Sequence, residues 1–235
     1  MKRSKKTLLW ILGICSIVTM AGDHGGWSSS EIGGGGYLLD AVFSVSDPNV
    51  VYCNSDVGGI FRSTDGGTSW KMIHGTTNPA LCNVRSLNVD PRDSDCVLAA
   101  IGNQYLPKMG IYRTANAGQT WQKVCTLQFY GNAGGKTRGN VFARDPGNPD
   151  TIYVSSRDGI YKSLDNGLTW QSQGVSGYYP YGLIIDKTNS SRLWFSAHAA
   201  SLFNYDLDAN EQLNGGLLKS ENGGISWTPV YGDGP

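Results

Sequence analysis

The pattern Ser/Thr-x-Asp/Asn-x-Gly-x-Ser/Thr-Trp occurs four times in this 235-residue chain. Its copies are Ser63–Trp70, Thr114–Trp121, Ser163–Trp170 and Ser220–Trp227. Their tryptophans lie 51, 49 and 57 residues apart. A period near fifty residues means one supersecondary unit repeated, each copy too small to bury its apolar face alone. The chain must therefore stack its units side by side.

Each copy has a physical reading. A short strand, such as Gly59-Ile60-Phe61-Arg62 or Gly159-Ile160-Tyr161-Lys162, runs into a turn. There Asp or Asn bonds the backbone of its own turn, and Gly supplies a left-handed conformation. Ser or Thr and the Trp are expected to open the returning strand, with the indole as an apolar plug. Asp65 and Asp165 are thus turn-holding residues, and poor candidates for catalysis.

A second turn recurs upstream of each box. Asp47-Pro48, Asp90-Pro91 and Asp145-Pro146 carry it, and Asp186-Lys187-Thr188-Asn189 takes the same place in the fourth unit. Apolar strands flank it: Leu38–Val45 and Val50–Cys53, Val84–Val89 and Cys96–Ala99, Val141–Ala143 and Ile152–Ser155, Gly182–Ile185 and Leu193–Ser196. Four antiparallel strands per unit at this period describe a β-propeller blade. The fold class is all-β, with about four blades over residues 22–235. Rings built of such blades close with more units, so four form a partial ring.

The N-terminus reads differently. Lys2, Arg3, Lys5 and Lys6 precede an apolar stretch from Leu8 to Val18, and small residues sit near Ala21. This is the layout of a secretory signal peptide over residues 1–21, too short for a membrane span. Beyond it stand fifteen basic and nineteen acidic residues, a net charge of −4. A mildly acidic surface argues against nucleic acid or an anionic membrane as partner and is compatible with a neutral polysaccharide. Cys53, Cys82, Cys96 and Cys125 remain after cleavage and could form two disulfides or stay as buried thiols. No Cys-x-x-Cys pair occurs and His24, His74 and His198 are scattered, so no metal site is expected, and no cofactor.

One segment is more specific than a repeat. Gly33-Gly34-Gly35-Gly36-Tyr37, Val51-Tyr52 and Ser55-Asp56-Val57-Gly58-Gly59-Ile60-Phe61-Arg62 resemble the opening of the family 74 glycoside hydrolases, secreted xyloglucanases and related endo-β-1,4-glucanases. Arg138-Gly139-Asn140 and Gly110–Thr114 extend the resemblance, which runs from about Gly33 to Trp227. It implies two propellers with a substrate cleft between them, of which this chain carries the N-terminal portion of the first. It also implies an inverting hydrolase whose general base lies in the Asp-Val-Gly-Gly turn, here Asp56. The general acid would come from the second propeller, so that propeller is an expected partner along with the polysaccharide. The residues agree on Asp56 in one respect. It breaks the repeat, since the second unit has Tyr105-Leu106-Pro107 in the equivalent region. Asp158, in Arg157-Asp158-Gly159, is a rival by position and reads as a turn residue.

Aromatic residues outside the blade pattern are candidate sugar platforms: Tyr105, Phe129, Tyr130, Tyr178 and Tyr179, with Tyr181 beside them. They sit on long loops or at strand starts, where binding residues collect. Their alternative role is to cover the blade surface. Two other functions share Asp boxes. A non-catalytic propeller binding glycan or protein, as in sortilin-type receptors and photosystem assembly factors, would lack the Gly-rich opening and the Asp-Val-Gly-Gly strand. A sialidase would need an arginine triad and a nucleophilic Tyr.

Overall fold

The computed structural model describes residue 32 and residues 38–73, 82–102, 108–129, 140–175, 178–199 and 215–231. All lie in one compact unit, Glu31–Pro235. The expected leader over residues 1–21 is outside the described residues, as is the Gly33–Tyr37 segment.

Among the described residues, sixteen strands form four four-stranded antiparallel sheets. The first holds β1 (Leu38–Phe43), β2 (Val51–Ser55), β3 (Gly59–Ser63) and β4 (Lys71–Met72). The second holds β5 (Val84–Asp90), β6 (Asp93–Ile101), β7 (Gly110–Thr114) and β8 (Gln122–Cys125). The third is β9 (Phe142–Arg144), β10 (Ile152–Ser156), β11 (Gly159–Ser163) and β12 (Gln171–Ser172). The fourth is β13 (Tyr178–Ile185), β14 (Leu193–Ala199), β15 (Gly215–Ser220) and β16 (Thr228–Tyr231). Within each sheet the strands pair in chain order. The first strand of each blade meets the first strand of the next, β1 to β5, β5 to β9 and β9 to β13. The described residues thus form four propeller blades that do not close into a ring, in line with the repeats.

The core lies between blades. Val50, Tyr52 and Ile60 of blade 1 pack on Val84, Leu87, Val97, Ala99 and Ile101 of blade 2. Leu98 and Ala100 point the other way, onto Phe142, Ile152 and Val154 of blade 3. Tyr153 and Ile160 of that blade then meet Leu183, Leu193 and Phe195 of blade 4. Successive side chains of a strand alternate between faces, so a middle blade fills two interfaces with one sequence. The apolar runs in β6 and β10 are the result.

The Asp boxes form a second set of joints. Asp65 accepts from Ser69 N at 2.8 Å, Ser69 Oγ at 2.6 Å and Ser63 Oγ at 2.7 Å. Asp165 repeats this with Thr169 N, Thr169 Oγ1 and Ser163 Oγ. Asn116 and Asn222 do it with an amide, accepting from the Thr120 and Ser226 backbones and donating to their hydroxyls. Two consecutive left-handed residues make each turn, such as Gly66 and Gly67 at φ 68° and 92° or Asn166 and Gly167 at 56° and 81°. The returning strands begin only after the Trp, at Lys71, Gln122, Gln171 and Thr228. Hydrogen bonds explain this difference from the sequence expectation. Trp70, Trp170 and Trp227 donate Nε1 to the turn's own Gly67, Gly167 and Gly224 carbonyls. The indoles close the turns while half-buried. Trp121 instead donates to Ile73 O of blade 1 at 3.2 Å.

These turns are tightly seated. A Cβ on Gly118, whose φ is +81°, would lie 2.7 Å from Ile73 Cδ1 and 2.9 Å from Ile73 O. Gly118→Ala combines overpacking against backbone with a strained φ, and should cost about 2 kcal/mol in urea unfolding.

The boxes also set an acid limit. Hydrogen bonds from the Ser69 hydroxyl, the Ser69 backbone and Ser63 lower the exposed Asp65 carboxyl from 3.8 to about 2. At Asp165 burial pulls upward, but bonds from Thr169 and Ser163 outweigh it and the carboxyl is again lowered. The unfolded chain takes up these protons near pH 3.8, and the native Asp65 only near pH 2. Their contribution to stability is therefore whole above pH 3.8 and is lost as the pH falls toward about 2. Asp65→Asn should flatten the fall of the unfolding midpoint in that window. The natural Asn116 and Asn222 boxes show that the amide can hold the same turn.

Cys53, Cys96 and Cys125 form no disulfide. Cys53 and Cys96 are buried, and burial is the main cause raising both, Cys53 to about 11. Of the two states left open by the sequence, the structure has the packed thiols.

Candidate functional site

Every blade has two edges. At one lie the Asp-Pro turns and the Asp boxes. At the other, the first strand of each blade begins and the second ends, so Leu38 faces Ser55, Val84 faces Ile101 and Tyr178 faces Ala199. Asp56 belongs to this second edge, one residue beyond β2 in the turn that leads to Gly59. Tyr178 and Tyr179, the first residues of β13, lie at the same edge. Topology thus gathers three of the candidate residues at one edge of the blades.

The Asp56 turn is tightly made. Ser55 is fully buried, and its Oγ accepts from Gly58 N at 3.0 Å. The same hydroxyl donates to Asp56 Oδ1 at 3.5 Å. Gly59 takes φ +94°, which returns the chain sharply into β3. The carboxylate is half-buried and the neighbouring Val57 is 49% exposed. The carboxylate thus sits at the rim on a short turn between two core strands, within reach of a buried hydroxyl. In blade 3 the corresponding Asp158 does other work. Its Oδ2 accepts from Gln128 N at 2.7 Å and its N–H donates to the Ser156 hydroxyl. Asp158 braces the connection between blades, as its turn context suggested.

The aromatic candidates separate. Phe129 is 2% exposed and packs with Leu127, Val141 and Phe142 between blades 2 and 3. Its backbone lies against Gly102, whose added Cβ would sit 2.3 Å from Phe129 O. A ring enclosed on both sides offers no face to a sugar, so Phe129 is a core residue. Tyr105 and Tyr130 lie outside the described residues, and only the backbones of Tyr178 and Tyr179 are described. Tyr181 is half-buried at the β13 bulge, and burial raises its hydroxyl.

Two polar groups toward the same edge had no sequence signal. Asn54, two residues upstream on β2, is wholly buried and donates Nδ2 to Val84 O at 2.9 Å. Arg85 follows Val84 and is 5% exposed. Burial lowers its guanidinium to about 10, against the pull of the Asp40 charge. The β5–β6 register jumps from Val84↔Ile101 to Ser86↔Ala100, so Arg85 is a bulge residue without a cross-strand partner. Among the described residues no cluster of His, Cys, Asp and Glu could hold a metal ion. A crevice of about 340 Å³ beside Arg62, Trp70, Lys71 and Gln119 lies at the Asp-box edge, away from Asp56.

Comparisons with known proteins fit this geometry. No family model matches the chain. A xyloglucanase of Acetivibrio thermocellus, Xgh74A, is 29% identical over 88% of this chain. A xyloglucanase of Hypocrea jecorina is 28% identical over the same share. In both cases the chain spans 27% of the relative's length. The crystal structure of a family 74 xyloglucanase from Xanthomonas campestris superposes with a TM-score of 0.68. It covers 88% of this chain and 32% of that one at 23% identity, which speaks for the fold alone. Over most of its length, the chain is similar to a part, about a quarter, of a family 74 xyloglucanase.

Proposed function

We propose that the protein is part of an exported glycoside hydrolase that cleaves xyloglucan or a related β-1,4-glucan with inversion. The likeness to xyloglucanases over 88% of the chain carries this reading. The half-buried Asp56 at the rim supports it. In this role Asp56 takes a proton from a water that attacks the anomeric carbon from the face opposite the leaving group. A second carboxyl group, roughly 6.5–9.5 Å from Asp56, protonates the leaving oxygen. That acid is expected from a second propeller outside the four blades. Tyr178 and Tyr179, at the same edge, are proposed to line the polysaccharide path, together with Tyr105 and Tyr130. Residues 1–21 would direct export.

The test has two stages. Migration through a native gel cast with xyloglucan reports binding, and reducing ends released by a full-length form that includes the second propeller report cleavage. Proton spectra of the first products give the anomer, which inversion at a β-linkage makes α. Retardation with release of the α-anomer supports the proposal. A β-anomer would refute the mechanism, and retardation without any release would favour the non-catalytic propeller. The acidic surface adds a control: DNA and anionic vesicles should not retain the protein.

A further inference from the structure

Most buried polar groups in proteins are paired, so exceptions call for an explanation. Among the described residues, two side-chain atoms are buried without a hydrogen-bond partner: Asn54 Oδ1 and Arg85 Nη2. One is an acceptor, the other a donor, and they belong to facing blades at the Asp56 edge. The backbone brings them together. Asn54 is tied by Nδ2 to Val84 O, the residue before Arg85. Asp40, the anion that acts on Arg85, is the cross-strand partner of Asn54. The bulge in β5 supplies the direction, since a bulged residue is re-aimed out of the regular alternation. Among the described residues, no carboxylate forms an ion pair with the guanidinium.

We infer that Arg85 and Asn54 form a binding site for a neutral hydroxyl group between blades 1 and 2. The chemistry selects the ligand class. A cation would meet the Arg85 charge. A carboxylate or phosphate could accept from Arg85, but would turn lone pairs toward Asn54 Oδ1 and add to the Asp40 charge. A hydroxyl oxygen accepts from Nη2 and donates to Oδ1, which satisfies both atoms. Two sources share that chemistry: an ordered water, of the kind that fills polar gaps in protein interiors, and a hydroxyl of a bound saccharide. Only the second source rests on the function proposed above.

A high-resolution crystal structure of the unliganded protein is the first test. An ordered oxygen within hydrogen-bond distance of both Arg85 Nη2 and Asn54 Oδ1 is expected. The site does not exist if that position is empty, or if the two side chains turn to bond protein groups instead. Soaking the crystals with a xyloglucan oligosaccharide, and titrating the same oligosaccharide into wild type and Arg85→Gln, identifies the source. A sugar oxygen in the soaked crystal and a Kd at least tenfold weaker in Arg85→Gln assign the hydroxyl to saccharide. An unmoved water with unchanged Kd assigns it to solvent. Should no saccharide bind at all, the proposed function fails, while the unliganded structure still decides the hydroxyl site.

Discussion

In a full-length form that includes the second propeller, Asp56→Asn is expected to slow xyloglucan hydrolysis about 10²–10⁴-fold, the usual worth of a positioned general base. Asparagine has the same shape, and its Oδ1 can still accept from the Ser55 hydroxyl. The turn should therefore survive, and binding measured by gel retardation should stay within about twofold, well under the tenfold that 1.4 kcal/mol represents. The loss should fall on kcat, because the proton is transferred only in the transition state. Asp158→Asn is the matched control. That carboxylate accepts from the Gln128 backbone, so its replacement should touch stability and leave turnover intact. An Asp56→Asn protein that keeps its rate would remove Asp56 from the chemistry.

The second large effect is on folding. Arg144→Met should cost about 3 kcal/mol of stability, in the range for breaking a buried ion pair from one side. The Arg144 side chain is 9% exposed and the Asp90 side chain 3%. Its Nε donates to Asn88 Oδ1 at 2.8 Å, and its Nη1 to Asn166 Oδ1 at 2.8 Å and Pro149 O at 2.5 Å. Arg144 thereby joins β9 to the Asp box of its own blade and to β5 of the preceding one. Removing it strands three acceptors and takes a cation from Asp90. Burial works to raise Asp90, but bonds from Arg92 and the Arg144 charge keep it lowered. Arg92 also reaches Asp90, yet its side chain is 48% exposed. Arg92→Met should thus cost about 1 kcal/mol or less. Urea unfolding of the two variants separates the cases, and equal losses would mean that the buried contacts add nothing.

Much of the fold was legible because turn chemistry is local. Asp65, Gly66, Gly67 and Ser69 carry their own hydrogen-bond instructions, and four copies made the reading unambiguous. The placement of Trp70 outside β4 was not legible, because it depends on an Nε1 bond to Gly67 O. Asp56 stood out by breaking the repeat. Phe129 was misjudged since a Gly-rich neighbourhood suggests an exposed loop. The alternation of Leu127 and Phe129, with Gln128 between them, was the available sign of a buried edge. Arg85 could not be found from the sequence. Its burial follows from a one-residue bulge, and nothing in Val84-Arg85-Ser86-Leu87 announces a register jump.

The repeat also divides where this architecture can change. From a glycine at the start of the third strand to the box tryptophan the distance is the same in every blade: Gly59 to Trp70, Gly110 to Trp121, Gly159 to Trp170 and Gly216, the second residue of β15, to Trp227. The connection between second and third strands is not conserved in length. It is three residues after Ser55, eight after Ile101, two after Ser156 and fifteen after Ala199. All of these connections leave from the Asp56 edge. A residue inserted within β6 would exchange the side chains aimed at its two neighbouring blades, whereas one inserted in the connection beyond Gly102 leaves that alternation intact. One rim behaves as a fixed chassis, and the rim around Asp56 is free to lengthen, which is where a lineage could acquire new ligand preferences without refolding the blades.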